Sequence, residues 1–165
     1  MLFDNFLSMV YKRLFDANNR IKEFEYRKKF SIHPSVQLNY PDNIWLKGNI
    51  SIGSESYING GRLISGQNTK IVIGMWCAIG HNVNIISVTH DIIFSTGPEN
   101  ERPLKEKDII IGNHVWIGSN VFIREGVIIG DNAIIGANSL VICDVPENAI
   151  FGGVPAKLIK FKDSK

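Results

Sequence analysis

Residues 109–141 read IIIGNHVWIGSNVFIREGVIIGDNAIIGANSLV, and their spacing decides the fold. Ile111, Ile117, Ile123, Ile129, Ile135 and Val141 recur every six positions, with glycine following at 112, 118, 130 and 136. Two positions before the last five stand Val115, Val121, Val127, Ala133 and Ser139. Residues two apart on a strand face the same way, so Val121 and Ile123 point inward while Phe122 between them points out. Six residues make one short strand and a corner, too little to bury an apolar face alone. Stacking coil on coil buries it, which makes a parallel β-solenoid. A sandwich would instead need hairpin signals and strands of variable length. The glycines are expected at the corners, where a positive φ is cheapest.

The period extends upstream through Leu46, Ile52, Ile58 and Ile64, then Ile73, Ile79 and Ile85, with glycine at 53, 74 and 80. The step from Ile64 to Ile73 is nine, so three residues are inserted near Gly66–Thr69. After Ile85 the next inward position is Asp91, and the period resumes only at Ile111. The stretch between carries TGPEN at 96–100 and the charged run Glu101–Asp108, so residues 91–110 form one long external loop. Loops of that length are usually lids or binding loops. His90 stands at its mouth.

Ahead of the solenoid, Phe3, Phe6, Leu7, Val10, Tyr11, Leu14 and Phe15 follow the i, i+3, i+4, i+7 rule of an amphipathic helix. Glu23/Arg27 and Glu25/Lys29 are i,i+4 pairs that carry it further. Its apolar stripe is expected to pack on protein rather than lipid, because Asp4 and Asp16 oppose an anionic surface. The chain thus divides into a helical segment 1–30, a solenoid domain 31–155 and a basic tail 156–165, with formal charges of +3, −4 and +3.

Composition narrows the classes. At 165 residues, 44% hydrophobic and 21% charged, the chain is one globular domain, and a net charge of +2 offers no field for nucleic acid. Cys77 and Cys143 stand far apart with no CxxC, which argues against a disulfide framework or structural zinc and suits a reducing compartment. Cys77 takes a small inward position and reads as a buried structural thiol. There is no run of ~18 apolar residues and no signal-peptide pattern, so a cytoplasmic location without a membrane span is expected.

The repeats, together with SVTHDI at 87–92 and FGGVPAKLIK at 151–160, resemble the hexapeptide-repeat acyltransferases over roughly Leu46–Lys160. The likeness is strongest to the maltose and galactoside O-acetyltransferases and the polysaccharide O-acetyltransferases. It implies a left-handed parallel β-helix, a hand the period alone does not give. It also implies a homotrimer with active sites between subunits, and acetyl-CoA as co-substrate with no metal required. The N-terminal segment does not resemble the opening of the maltose enzymes, so the likeness does not carry over a particular sugar.

Acetyl transfer to a hydroxyl needs a base near pH 7, which imidazole supplies. Of His33, His81, His90 and His114, only His90 stands where the core column stops and the long loop begins, and it alone matches the family's catalytic histidine. Asp91 either supports His90 at the acceptor or merely begins the loop. Asn59, in SYING, matches an acceptor-binding asparagine; as a corner residue it equally suits a left-handed φ. The outward-phased Trp116 matches a tryptophan at the donor and acceptor site. By the same resemblance Ser119 and Ala137 supply backbone contacts to coenzyme A, and Lys157 and Lys160 lie near its phosphates. The expected activity is direct acetyl transfer to a sugar hydroxyl, in surface polysaccharide synthesis. A xenobiotic acetyltransferase and a non-catalytic trimeric scaffold are the alternatives. A zinc carbonic anhydrase of similar fold is disfavoured, because no two of the histidines are five positions apart.

Overall fold

A computed structural model describes residues 2–91 and 103–163 of the chain. Strands of two to six residues wind into a triangular parallel solenoid whose three faces are three sheets. The first face stacks Ser31–Ile32, Asn49–Ile52, Lys70–Ile73, Ile109–Ile111 and Ile128–Ile129. The second stacks Gln37–Leu38, Tyr57–Ile58, Ala78–Ile79, Trp116–Ile117, Ile134–Ile135 and Ala149–Gly153. The third stacks Ile44–Lys47, Gly61–Ile64, Val83–Ile86, Phe122–Ile123 and Leu140–Val141. Every inward position from Ile111 to Val141 is buried, and Cys77 lies among them at 1% exposure. Burial pushes the Cys77 thiol up, out of the range of a ready nucleophile.

Two expectations change at the corners. The glycines at 112, 118, 130 and 136 do not carry the positive φ; it falls two residues later, on His114, Asn120, Asn132 and Asn138. Asparagine tolerates that conformation, and its amides ladder between coils: Asn82 donates to Asn120 at 3.0 Å and Asn120 to Asn138 at 3.1 Å. At 112, 118 and 130 glycine is required by the stacking itself. A Cβ on Gly118 would lie 2.6 Å from the Ala137 amide nitrogen. Upstream, Leu63 is fully buried and Ile64 is not. The corner at Gly60–Gly61, both with positive φ, is one residue shorter than its neighbours and shifts the phase.

The external excursion leaves the corner between the third and first faces. Its described part is an antiparallel ribbon, pairing Val88 with Glu106, Thr89 with Lys105 and His90 with Leu104. Residues 92–102, the greater part of the expected loop, lie outside the described residues. The charged run anchors the returning strand. The Glu106 carboxylate accepts from the Asn68 amide at 3.0 Å, and Asp108 from the Lys70 amide at 2.9 Å. Lys105 reaches the nearly buried Glu125 at 3.2 Å, which Arg124 also contacts at 2.8 Å. The inserted turn near Gly66–Thr69 is thus the seat of the ribbon.

The N-terminal segment is one helix, α1, Leu2–Lys29, with Arg27, Lys28 and Lys29 in its last turn, where cations suit the helix dipole. Its second half meets the solenoid: Asn18 Nδ2 donates to Asp42 at 2.8 Å, Lys22 pairs with Asp42 at 2.7 Å, Tyr26 donates to the Ile44 carbonyl, and Arg27 donates to the carbonyls of His33 and Val36. The stripe nearer its start, Phe6, Tyr11 and Leu14, is exposed. Among the described residues no helix is long and apolar enough to cross a membrane. Ala156–Phe161, part of the basic tail, is a strand pairing antiparallel with Ala149–Gly153.

Candidate active site

Six of the eight expected site residues fall on the second face or the corner that follows it. Trp116 points outward from the second face and is 56% exposed, because its neighbours Val115 and Ile117 take the inward positions. One corner further, His81, Ser119 and Ala137 occupy the same place on successive coils; the His81 amide donates to Ser119 Oγ at 3.2 Å. Lys157 and Lys160 lie at the end of the same sheet, opposite Gly152 and Ile150. Small residues along a straight corner, an exposed indole beside it and two exposed lysines at its far end make a strip suited to a long, flexible, phosphate-bearing ligand.

Asn59 stands at the start of the same corner, two coils before Ser119. Its Oδ1 accepts from Asn39 Nδ2 at 2.9 Å, which turns its own amide NH₂ toward the surface as a donor. Beside it opens a cavity of about 500 Å³, lined by Asp42, Asn43, Trp45, Asn59, Arg62 and His81 among others. Trp45 and Arg62 were not singled out from the sequence. Their signal was the alternation in IWLK and GRLI, in which Ile44, Leu46 and Leu63 turn inward and leave the residues between them outward.

His90 and Asp91 are elsewhere. They extend from the corner between the third and first faces, so the third face separates them from Asn59 and Trp116 within one chain. His90 is exposed, and the Asp91 amide donates to the Pro103 carbonyl at 2.9 Å, prolonging the ribbon. The other histidines have local roles. His114 stacks flat on Trp76, with centroids 6.4 Å apart, and both are left-handed corner residues. His81 lies 6.0 Å from the Tyr40 ring at the cavity edge. No three of His, Cys, Asp and Glu gather as a metal site among the described residues.

These features define a hexapeptide solenoid bearing an elongated polar strip, a corner cavity and a projecting histidine. Residues 108–143 match the family model described as bacterial transferase hexapeptide (six repeats). The chain is 39% identical over 156 residues to the sophorolipid acetyltransferase of Starmerella bombicola, covering 90% of this chain but only 58% of that protein's length. It superposes on a hexapeptide-repeat acetyltransferase from Vibrio cholerae, solved with acetyl coenzyme A, with TM-score 0.66 and 27% identity over 92% of this chain and 89% of that one. A galactoside acetyltransferase in complex with coenzyme A matches with TM-score 0.66 and 32% identity, over 84% of this chain and 68% of that one. The chain belongs to the hexapeptide-repeat acyltransferase family, and its solenoid is the left-handed β-helix of that family.

Proposed function

We propose that this protein transfers an acetyl group from acetyl-CoA to a sugar hydroxyl, as a homotrimer whose sites lie between subunits, in the cytoplasm and in the service of a surface polysaccharide. The observation that carries the reading is the split just described. The strip suited to the donor and the cavity beside Asn59 share one corner, while the exposed histidine projects from another. Packing of three copies about one axis brings one copy's ribbon against its neighbour's corner.

The donor supplies an activated acetyl carbonyl. The chain supplies the rest. Trp116 and the backbone at Ser119 and Ala137 hold the donor along the corner, with Lys157 and Lys160 at its phosphates. The Asn59 amide donates to an acceptor oxygen and positions the reacting hydroxyl. A His90 ring nitrogen takes that hydroxyl's proton as its oxygen attacks, then returns it to the departing sulfur. Asp91, next along the ribbon, supports the histidine and the acceptor. Transfer is read as direct, since no serine or cysteine lies in a nucleophile-elbow sequence and Cys77 is buried.

One observation favours a second base. His81 lines the same cavity as Asn59, whereas His90 of the same chain does not. Mass spectrometry of products from a panel of saccharides and antibiotics, with wild type, His90→Ala and His81→Ala, separates these. Loss of a general base costs about 10²–10⁴-fold in turnover. His90→Ala is expected to lose that factor while staying folded and trimeric, and His81→Ala to lose much less. The reverse result moves the base to His81. A product found only with antibiotics replaces the sugar reading, and no acetyl product at all reopens the scaffold reading.

A further inference from the structure

We infer that the cavity beside Asn59 selects an acidic sugar, with Arg62 holding its carboxylate and Trp45 lying against its ring. The inference rests on the sugar O-acetyltransferase reading and adds the charge of the acceptor. Trp45 and Arg62 are direct partners on adjacent parallel strands of the third face. Ile44, Leu46 and Leu63 beside them are buried, so both side chains stand outward next to each other and line the cavity.

Charge in the cavity is lopsided. Its carboxylate, Asp42, is already engaged, by Lys22 at 2.7 Å and by Asn18 Nδ2 at 2.8 Å. Arg62 has no such partner among the described residues. Its Nε donates to Asn84 Oδ1 at 2.8 Å, and among the described residues no carboxylate lies within ion-pair distance of it. The Asn84 bond fixes the guanidinium plane by one edge and leaves the terminal nitrogens as a fork. That geometry matches a carboxylate bidentately, which lysine does not reproduce. Trp45, 57% exposed, offers an apolar ring face of the size of a sugar ring, and covering it removes apolar surface from water. An acidic pyranose seated on Trp45 with its carboxylate at Arg62 leaves its hydroxyls toward Asn59, one side of the cavity for each function. A neutral sugar satisfies the tryptophan and the asparagine but leaves the arginine fork unused.

The test uses the full chain with acetyl-CoA and matched acceptors: methyl glucuronide against methyl glucoside, and a sialylated against a desialylated oligosaccharide. For at least one pair the acidic member is expected to have the higher kcat/KM. Because hydrogen bonds to charged groups are the strong ones, Arg62→Gln is expected to reduce the acidic-over-neutral ratio by about 10–100-fold, chiefly through acceptor KM. Arg62→Lys should fall between. Sedimentation of both variants checks that the oligomer is unchanged. A wild type that prefers the neutral member of both pairs, or a ratio that Arg62→Gln leaves alone, overturns the inference while acetyl transfer to sugar still stands. Absence of product from every sugar overturns the transferase reading, and this inference with it.

Discussion

A lysine that meets a phosphate makes its contact before the reaction and during it alike, so its loss weakens binding without slowing chemistry. Lys157→Ala with Lys160→Ala is accordingly expected to raise the Michaelis constant for acetyl-CoA about three- to tenfold, given the small worth of exposed ion contacts, with kcat nearly unchanged. Steady-state kinetics with varied donor measure it. An unchanged constant would move the phosphates to Arg124 or to Lys162, whose Nζ already donates to the Asn132 carbonyl at 2.6 Å. At this scale the sequence was uneven. The place of His90, at the start of the ribbon, was legible because a broken register points at the residue before the break. Cys77 was legible because it took an inward slot. Trp45 and Arg62 were not, because the six-residue period marks what points inward and is indifferent to what stands outward. Their meeting with Asn59 and His81 depends on which coils stack. The glycines at 112, 118 and 130 stand at the expected corners for a different reason: backbone contact between coils, rather than φ, excludes a side chain there.

The ribbon is the element on which the proposed base stands, and charge holds it. Burial alone would raise the Glu125 carboxyl, but hydrogen bonds from Arg124 and Lys105 outweigh it and hold the group below the ordinary carboxylate value. A folded-state value below the unfolded one means that this stabilisation is present above the unfolded value of about 4.3. It is lost as the pH falls from there through the lower, folded value. Hydrogen exchange across Val88–His90 and Leu104–Glu106 should therefore quicken relative to the solenoid over that acid window. In Glu125→Gln the same loosening should appear at pH 7, with turnover reduced about tenfold as the base loses its position. Equal protection in variant and wild type would show that Glu106 and Asp108 hold the ribbon without Glu125. From the sequence this run of charges looked like solvated loop. Their anchoring role depends on amides at Asn68 and Lys70, far away in the chain, that only coil stacking brings near. The helix was legible as an amphipathic pattern, yet its exposed stripe shows that the pattern says a face is to be covered without saying by what.

For the whole molecule, the candidate site residues of one chain stand on two different corners. A repeat read along the chain reports the stack of coils faithfully, since each inward residue meets the next coil at fixed spacing. It says little about what meets across the gap between copies. The proposed homotrimer joins His90 of one copy to Asn59 of another, and subunit mixing tests that proposal most directly. His90→Ala and Asn59→Ala, each nearly inactive alone, are denatured together in equal amounts and refolded. If each site takes His90 from one chain and Asn59 from its neighbour, random trimers contain intact sites. Activity should then return to roughly a quarter of wild type, since each interfacial site draws one residue from each of two neighbours. If the mixture, shown by mass to contain mixed trimers, stays as inactive as the separate variants, the two residues do not meet across the interface and the shared site is wrong.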